Sequence, residues 1–254
     1  MQKQGGDCVD FKPAKILKEF YSKPIYISSR ATSLAVEFVP KGSQPAIEPL
    51  KHFDGEERRA LEKEYYEKCG SFEFVIHKNH SKEQPIKIHL DCWDLRELIS
   101  VIDSTEDGSW ISTAEINLML ERPELGALTP EEWKAKVDLP NSTEPVVLMR
   151  TGVQIWPENR VGAVTTGTHL SVYFQPKSLK GDAVKKPWIL EFKRYQLECR
   201  KDMDVARKNE RVLSIQLSTE DMNRIVRYLG MKYLLWAGDK KAAELFERDP
   251  KTFC

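Results

Sequence analysis

Two separated stretches of the chain carry the same hydrophobic code. Residues 85–102 (PIKIHLDCWDLRELISVI) and 212–229 (VLSIQLSTEDMNRIVRYL) align without a gap at an offset of 127. Ile86, Ile88 and Leu90 fall on Leu213, Ile215 and Leu217, and Leu95, Leu98 and Ile102 fall on Met222, Ile225 and Leu229. The apolar period is two in the first part of each copy and close to 3.6 in the second. This predicts a strand followed by an amphipathic helix. At the junction a polar residue stands three positions before a carboxylate, Asp91 with Asp94 and Ser218 with Asp221. That spacing lets each side chain serve the free amides of the first helical turn.

The same alternation marks further strands. KPIYISS is strand-like, Leu34, Val36 and Phe38 alternate up to Pro40, and Phe72, Phe74 and Ile76 form a third run before Ile86–Leu90. In the second part, residues 146–156, then Leu170, Val172 and Phe174, then residues 188–197 and finally 211–217 read as strands. Residues 13–20 read as a short helix. The charged run 55–69 reads as a solvated insertion helix stopped by Gly70. Ser112 with Glu115 and Thr129 with Glu132 have capping-box spacing and predict two short helices in the middle. Gly238 is expected to separate the last long helix from a short terminal one.

The predicted fold class is α+β, with two pseudo-repeated antiparallel sheets each closed by a helix, a β-β-β-β-α duplication. The expected organisation is an N-terminal tail (1–22), a first sheet–helix half (23–103), an acidic linker with short helices (104–145) and a second half with C-terminal helices (146–254). Strands of this pattern leave one face of each sheet polar and open.

Composition narrows the functions. The 254 residues carry 39 basic and 39 acidic side chains, so net charge favours neither nucleic acid nor membrane. The charge is distributed unevenly. Residues 103–147 hold ten acids against three bases, while residues 160–211 hold twelve bases against six acids. This is either a pair of solvated faces of opposite sign or a basic binding surface beside an acidic surface that pairs subunits. Five widely spaced cysteines with no CxxC argue against disulfides and zinc, and predict an intracellular, reducing compartment. No run is apolar enough to span a membrane, and the N-terminus, with Asp7 and Asp10, does not read as a secretory signal. The five histidines lack a carboxylate pattern, and GxGxxG, GxxxxGK[ST] and GxSxG are all absent. The chain reads as a non-enzyme needing no cofactor or metal.

The open faces carry the candidate chemistry. Ser214 and Gln216 alternate with the apolar residues of the last strand, and Lys87 and His89 do so in its counterpart. Lys193 and Tyr195 oppose Trp188, Leu190 and Phe192, and Tyr173 opposes Val172 and Phe174. Arg200 and Lys201 stand in a basic loop with Arg207 and Lys208, and Lys177, Lys180, Lys185 and Lys186 in another. Aromatic rings on a flat sheet stack on unpaired bases while cationic loops follow the phosphates. The candidate site is therefore Lys87, His89, Tyr173, Lys193, Tyr195, Arg200, Lys201, Ser214 and Gln216, and the expected partner is single-stranded RNA or DNA.

The segments KPIYISSRATSLAVEFVP, GSFEFVIHKN, HSKEQPIKIHLDCWDLRELISVID, WILEFKRYQ and ERVLSIQLSTEDMNRIVRYLGMKYLLWAG resemble, in pattern and order, the Whirly fold. That group comprises the plant organellar single-stranded-DNA-binding Whirly proteins and the kinetoplastid mitochondrial RNA-binding proteins. The resemblance covers about residues 25–103 and 165–245, and the plant proteins' KGKAAL segment has no counterpart. It implies a homo- or hetero-oligomer of tetramer type with helices packed inward, nucleic acid across the outer sheet faces, and a mitochondrial or other organellar site. It also implies roles in protecting single strands and in RNA annealing or processing, while transcription regulation belongs to a ribbon-helix-helix alternative. Trp236, in an apolar run, is expected to serve subunit packing. Two alternatives stay open: a structural subunit of a ribonucleoprotein assembly, and a ribbon-helix-helix regulator using residues 211–247.

Overall fold

A computed structural model describes residues 24–39, 71–90, 92–156, 164–199 and 205–236. The predicted helices at 13–20, 55–69 and beyond Gly238, the cap Asp91, and the site residues Arg200 and Lys201 lie outside the described residues, as does the side chain of Trp236.

The chain builds two antiparallel sheets. The first is a meander of β1 (Ile25–Ser28), β2 (Thr32–Val39), β3 (Ser71–Lys78) and β4 (Ile86–Leu90), in that spatial order. The second has β5 (Val146–Arg150), β7 (Val164–Phe174), β8 (Trp188–Cys199) and β9 (Val205–Leu217) in order, with β6 (Gln154–Trp156) also paired to β7. The strand expected over 146–156 is thus broken at residues 151–153, and its two pieces pair with opposite ends of the long β7. The last strand starts earlier than the alternation indicated, at Val205. β9 pairs with β8 over nearly its whole length. It is a member of a five-stranded sheet, not the isolated ribbon that a ribbon-helix-helix dimer requires.

The duplicated code has one structural meaning in both copies. β4 and β9 are each the last strand of their sheet and lie at its edge. Each leads into a helix, α1 (Cys92–Asp107) after β4 and α4 (Thr219–Trp236) after β9. All twelve apolar positions matched between the copies are buried. Each such side chain removed from water contributes about 1.5–3 kcal/mol. The inner faces of both sheets and the apolar stripes of α1 and α4 join a single core around Phe72, Phe74, Trp188 and Phe192. The helices also meet each other, and α4 reaches across to β1 and β2, so the two halves share their covering layer.

Capping accounts for where α4 begins. Ser218 Oγ accepts from the amide of Asp221 at 3.1 Å, and the Asp221 carboxylate accepts from the Ser218 hydroxyl and amide at 2.8 and 3.3 Å. The box predicted at Thr129 and Glu132 is also present, and opens α3 (Pro130–Lys136). Ser112 does not cap a helix, because α2 (Trp110–Glu121) starts before it. The middle stretch does more than link the halves. Trp110, Ala114 and Leu139 enter the core, and Asn117 Nδ2 donates to the Val147 and Leu148 carbonyls of β5 at 3.2 and 3.1 Å.

Polar contacts tie the sheets together at one end. Thr32 Oγ1 donates to the Ser214 carbonyl at 2.9 Å. Arg211 pairs with Glu83 at 2.8 Å and also donates to the Gln84 carbonyl, while Arg194 reaches Gln84 Oε1 at 3.4 Å. The β8–β9 hairpin is thereby held against the turn between β3 and β4.

Candidate nucleic-acid interface

Register assembles the outer face of the second sheet. The residues opposite the core-facing Val172, Leu190 and Ile215 form rows across three strands. Tyr173, Ile189 and Gln216 make one row, Ser171, Glu191 and Ser214 the next, and His169, Lys193 and Val212 a third. Arg150 of β5 extends the middle row. Gly167 and Tyr195 are partners one step further. From Tyr173 to Gly167 the face is about 20 Å long. Lys180, Lys185 and Lys186, exposed in the β7–β8 loop, lie at the Tyr173 end, and Arg207 and Lys208 at the other.

Glu191 organises the middle. Its Oε1 accepts from the Tyr173 hydroxyl at 3.0 Å and lies 3.2 Å from Lys193 Nζ, which also approaches Glu210 at 3.9 Å. Burial and then the Glu191 charge push the Tyr173 phenol above its ordinary pKa, so it acts as a donor throughout the neutral range. Ser214 and Gln216 are exposed beside this pair and offer hydroxyl and amide groups.

The Tyr195 end is shaped by a bulge. The β8–β9 register shifts between Arg194 and Gln196, so that an extra residue of β9 stands opposite Tyr195. Asn209 takes the left-handed conformation there, with φ +53°, which Asn tolerates better than most residues. Its Nδ2 donates to Gln196 Oε1 at 2.6 Å. The kink brings the Arg207 guanidinium to 4.8 Å above the Tyr195 ring centre. The ring also lies across Gly167, where a Cβ would meet Tyr195 Cε2 at 2.5 Å. His169 flanks it, with ring centres 5.6 Å apart.

The expectation that Tyr195 is an exposed stacking platform is therefore corrected. It is 1% exposed, with Arg207 and Gly167 against its ring. Its hydroxyl and His169 Nδ1 are buried without a hydrogen-bond partner. A buried polar group left so costs about 1–3 kcal/mol. Burial, and then the charges of Lys193, Arg207 and Arg150, hold the His169 pKa below its usual value; Glu191 opposes them. Burial raises the Tyr195 phenol, against the pull of Arg207.

Lys87 and His89 belong to the outer face of the other sheet, so the structure does not bring the two groups of candidates together on one surface. Lys87 is exposed but held by Glu73 at 2.7 Å. His89, expected to face solvent, is only 1% exposed and lies 3.4 Å from Glu73. Burial lowers its pKa, Glu73 partly offsets this, and Lys87 adds to the lowering. Alternation assigned His89 to the correct face of its strand but could not reveal that the position is covered. Sequence reasoning overlooked Tyr26, which is 65% exposed in the row of Ala35, Val75 and Lys87, and also missed His169. Both were detectable from parity, since Tyr26 lies between Ile25 and Ile27, and His169 is two and four residues from Ser171 and Tyr173.

Among the described residues no group of three or more His, Cys, Asp or Glu side chains is placed to hold a metal, and no helix is long and apolar enough to cross a membrane.

No family model and no curated protein matches the sequence. Among solved structures the chain is similar to that of the plant transcriptional regulator PBF-2, at 11% identity and a TM-score of 0.38, over 88% of this chain and 87% of that one.

Proposed function

We propose that this chain is a non-catalytic, Whirly-type protein that binds single-stranded RNA or DNA across the outer face of its five-stranded sheet. The observation that carries the reading is the register. It puts Tyr173, His169, Lys193, Ser214 and Gln216 on the same side of one sheet, with exposed cations at both ends. A single strand needs a surface on which bases lie flat while the backbone runs between positive charges. Tyr173 supplies the ring and Lys193 the central charge. Ser214 and Gln216 meet base edges, and the lysines of the β7–β8 loop and Arg207 meet phosphates. Glu191 and Glu210 keep Lys193 in place until a phosphate replaces one of them. Assembly into a homo- or hetero-oligomer and a place in an organellar ribonucleoprotein belong to the same reading and rest on the resemblance in sequence pattern.

The test is polarisation binding of a short labelled pyrimidine strand over a salt series. Binding weakens steeply with salt. Lys193→Glu lowers affinity and takes roughly one phosphate contact, about 0.7, off the log–log slope. An affinity that Lys193→Glu leaves unchanged, or a flat salt response, removes this face as the interface.

A further inference from the structure

We infer that the Tyr195 end of this face is a phosphate seat, built from Tyr195, His169, Lys193 and Arg207. The reading rests on the proposed nucleic-acid function only for the source of the phosphate. Folded proteins pair nearly all their buried polar atoms, so two unpaired atoms in one cluster call for an explanation. The Tyr195 hydroxyl and His169 Nδ1 are such atoms, on rings 5.6 Å apart. Each can donate a hydrogen bond, the imidazole with its proton on Nδ1. In that tautomer both atoms lack an acceptor.

The surrounding charge identifies the acceptor as an anion. Lys193 is the direct cross-strand partner of His169, and Arg207 lies on the Tyr195 ring. Lys193, which Glu191 and Glu210 now hold, and Arg207 both act with Arg150 to lower the His169 pKa, against Glu191. A neutral ligand would satisfy the two donors without engaging the cations, and a phosphate has oxygens in more directions than a carboxylate, so it takes several donors and cations at once. The group covering the Tyr195 ring is an exposed arginine on the rim, whose side chain can turn outward to admit the ligand and then close on it. Gly167 is what allows the phenol to lie so deep, since any Cβ there would lift the ring.

Tyr195→Phe tests the seat directly, because it deletes the hydroxyl and keeps the ring over Gly167. Arg207→Ala removes the cover. Binding of inorganic phosphate to the full-length wild type and both variants is measured by calorimetry and by the shift in Tm. Ionic strength is held constant with chloride. The same proteins are then titrated with the labelled pyrimidine strand.

The expected result is that each variant binds phosphate about tenfold more weakly or worse. Parallel loss of strand affinity assigns the seat to a backbone phosphate of nucleic acid. Loss of phosphate binding from a protein whose wild type ignores the strand leaves the seat standing for free phosphate or a nucleotide, and it is then the nucleic-acid reading that falls. Phosphate binding that is absent from the wild type, or equal in all three proteins, overturns the seat even if the strand binds.

Discussion

Gly167→Ala is the most direct test of the packing around Tyr195. The added Cβ would lie 2.5 Å from Tyr195 Cε2 and 3.1 Å from Cδ2 and Cζ, against an ordinary carbon–carbon contact of about 3.5–4.0 Å. The ring has to rise by about 1 Å. It cannot do so freely, since Arg207 lies 4.8 Å above its centre and His169 flanks it. Overpacking of this kind costs about 1–3 kcal/mol. Gly167 does not have a positive φ, so the backbone accepts alanine, and relief of glycine's entropy returns about 0.5–1 kcal/mol. The expected net loss is about 0.5–2 kcal/mol, read as a lower urea midpoint at unchanged m. The control is the Tyr195→Ala background, where the clash is gone and Gly167→Ala becomes neutral or stabilising. The two sites then couple by about 1 kcal/mol or more. A Gly167→Ala protein as stable as wild type, or one equally destabilised with and without the ring, would refute the packing described.

Two further outcomes follow from the same structure. His89 and His169 are both held below their ordinary pKa, primarily by burial, so the unfolded chain binds more protons than the folded one once pH falls through about 6.5. Stability therefore declines from about pH 7.5 to about 5.5, and the decline is shallower in His89→Gln and His169→Gln; a urea midpoint flat across that window contradicts it. Ser218→Ala removes the reciprocal cap of α4, which covers both sheets, and lowers global stability by about 1 kcal/mol. Thr129→Ala removes an equivalent cap from α3, a seven-residue helix with no buried residue, and leaves the urea midpoint of the whole chain unchanged. Equal losses for the two would argue against the shared role of α4.

The parts of the fold that could be read in advance are those where one local period decides the outcome. The strand–helix units at 85–102 and 212–229, the capping boxes at Ser218 and Thr129, and the face to which Lys193, Ser214 and Gln216 belong all follow from spacing alone. The misreadings arise where distant residues intervene. Ser112 with Glu115 has cap spacing, but Trp110 and Ala114 dock in the core and draw the helix start back before them. The break at residues 151–153 comes from β7, which is long enough to pair with two short strands. The bulge beside Tyr195 leaves no glycine as a signal, because Asn209 adopts the left-handed turn instead. Parity says which side of a strand a side chain leaves from, but not what lies above it, so His89 and Tyr195 were assigned to outer faces without their burial being foreseen.

The two copies share a core but differ on their outer faces. Both must fill the same core, and there the matched positions are interchangeable aliphatics such as Ile88 and Ile215 or Leu98 and Ile225. The outer faces carry no such constraint, and they differ in charge. On the first sheet Glu37, Glu73 and His89 form one row, and Glu73 is shared between Lys87 and the buried His89, so that cation is already answered from within. On the second sheet Lys193, Arg207 and Arg150 lower the His169 pKa against Glu191, while Lys193 is held by Glu191 and Glu210 and Arg150 by Glu121. In the proposed nucleic-acid reading, phosphate attraction depends on local charge and not on the zero net charge of the chain, and falls off within about 10 Å in ordinary salt. A duplicated scaffold with a common core can therefore pair its charges differently on its two outer faces, with only surface positions changed.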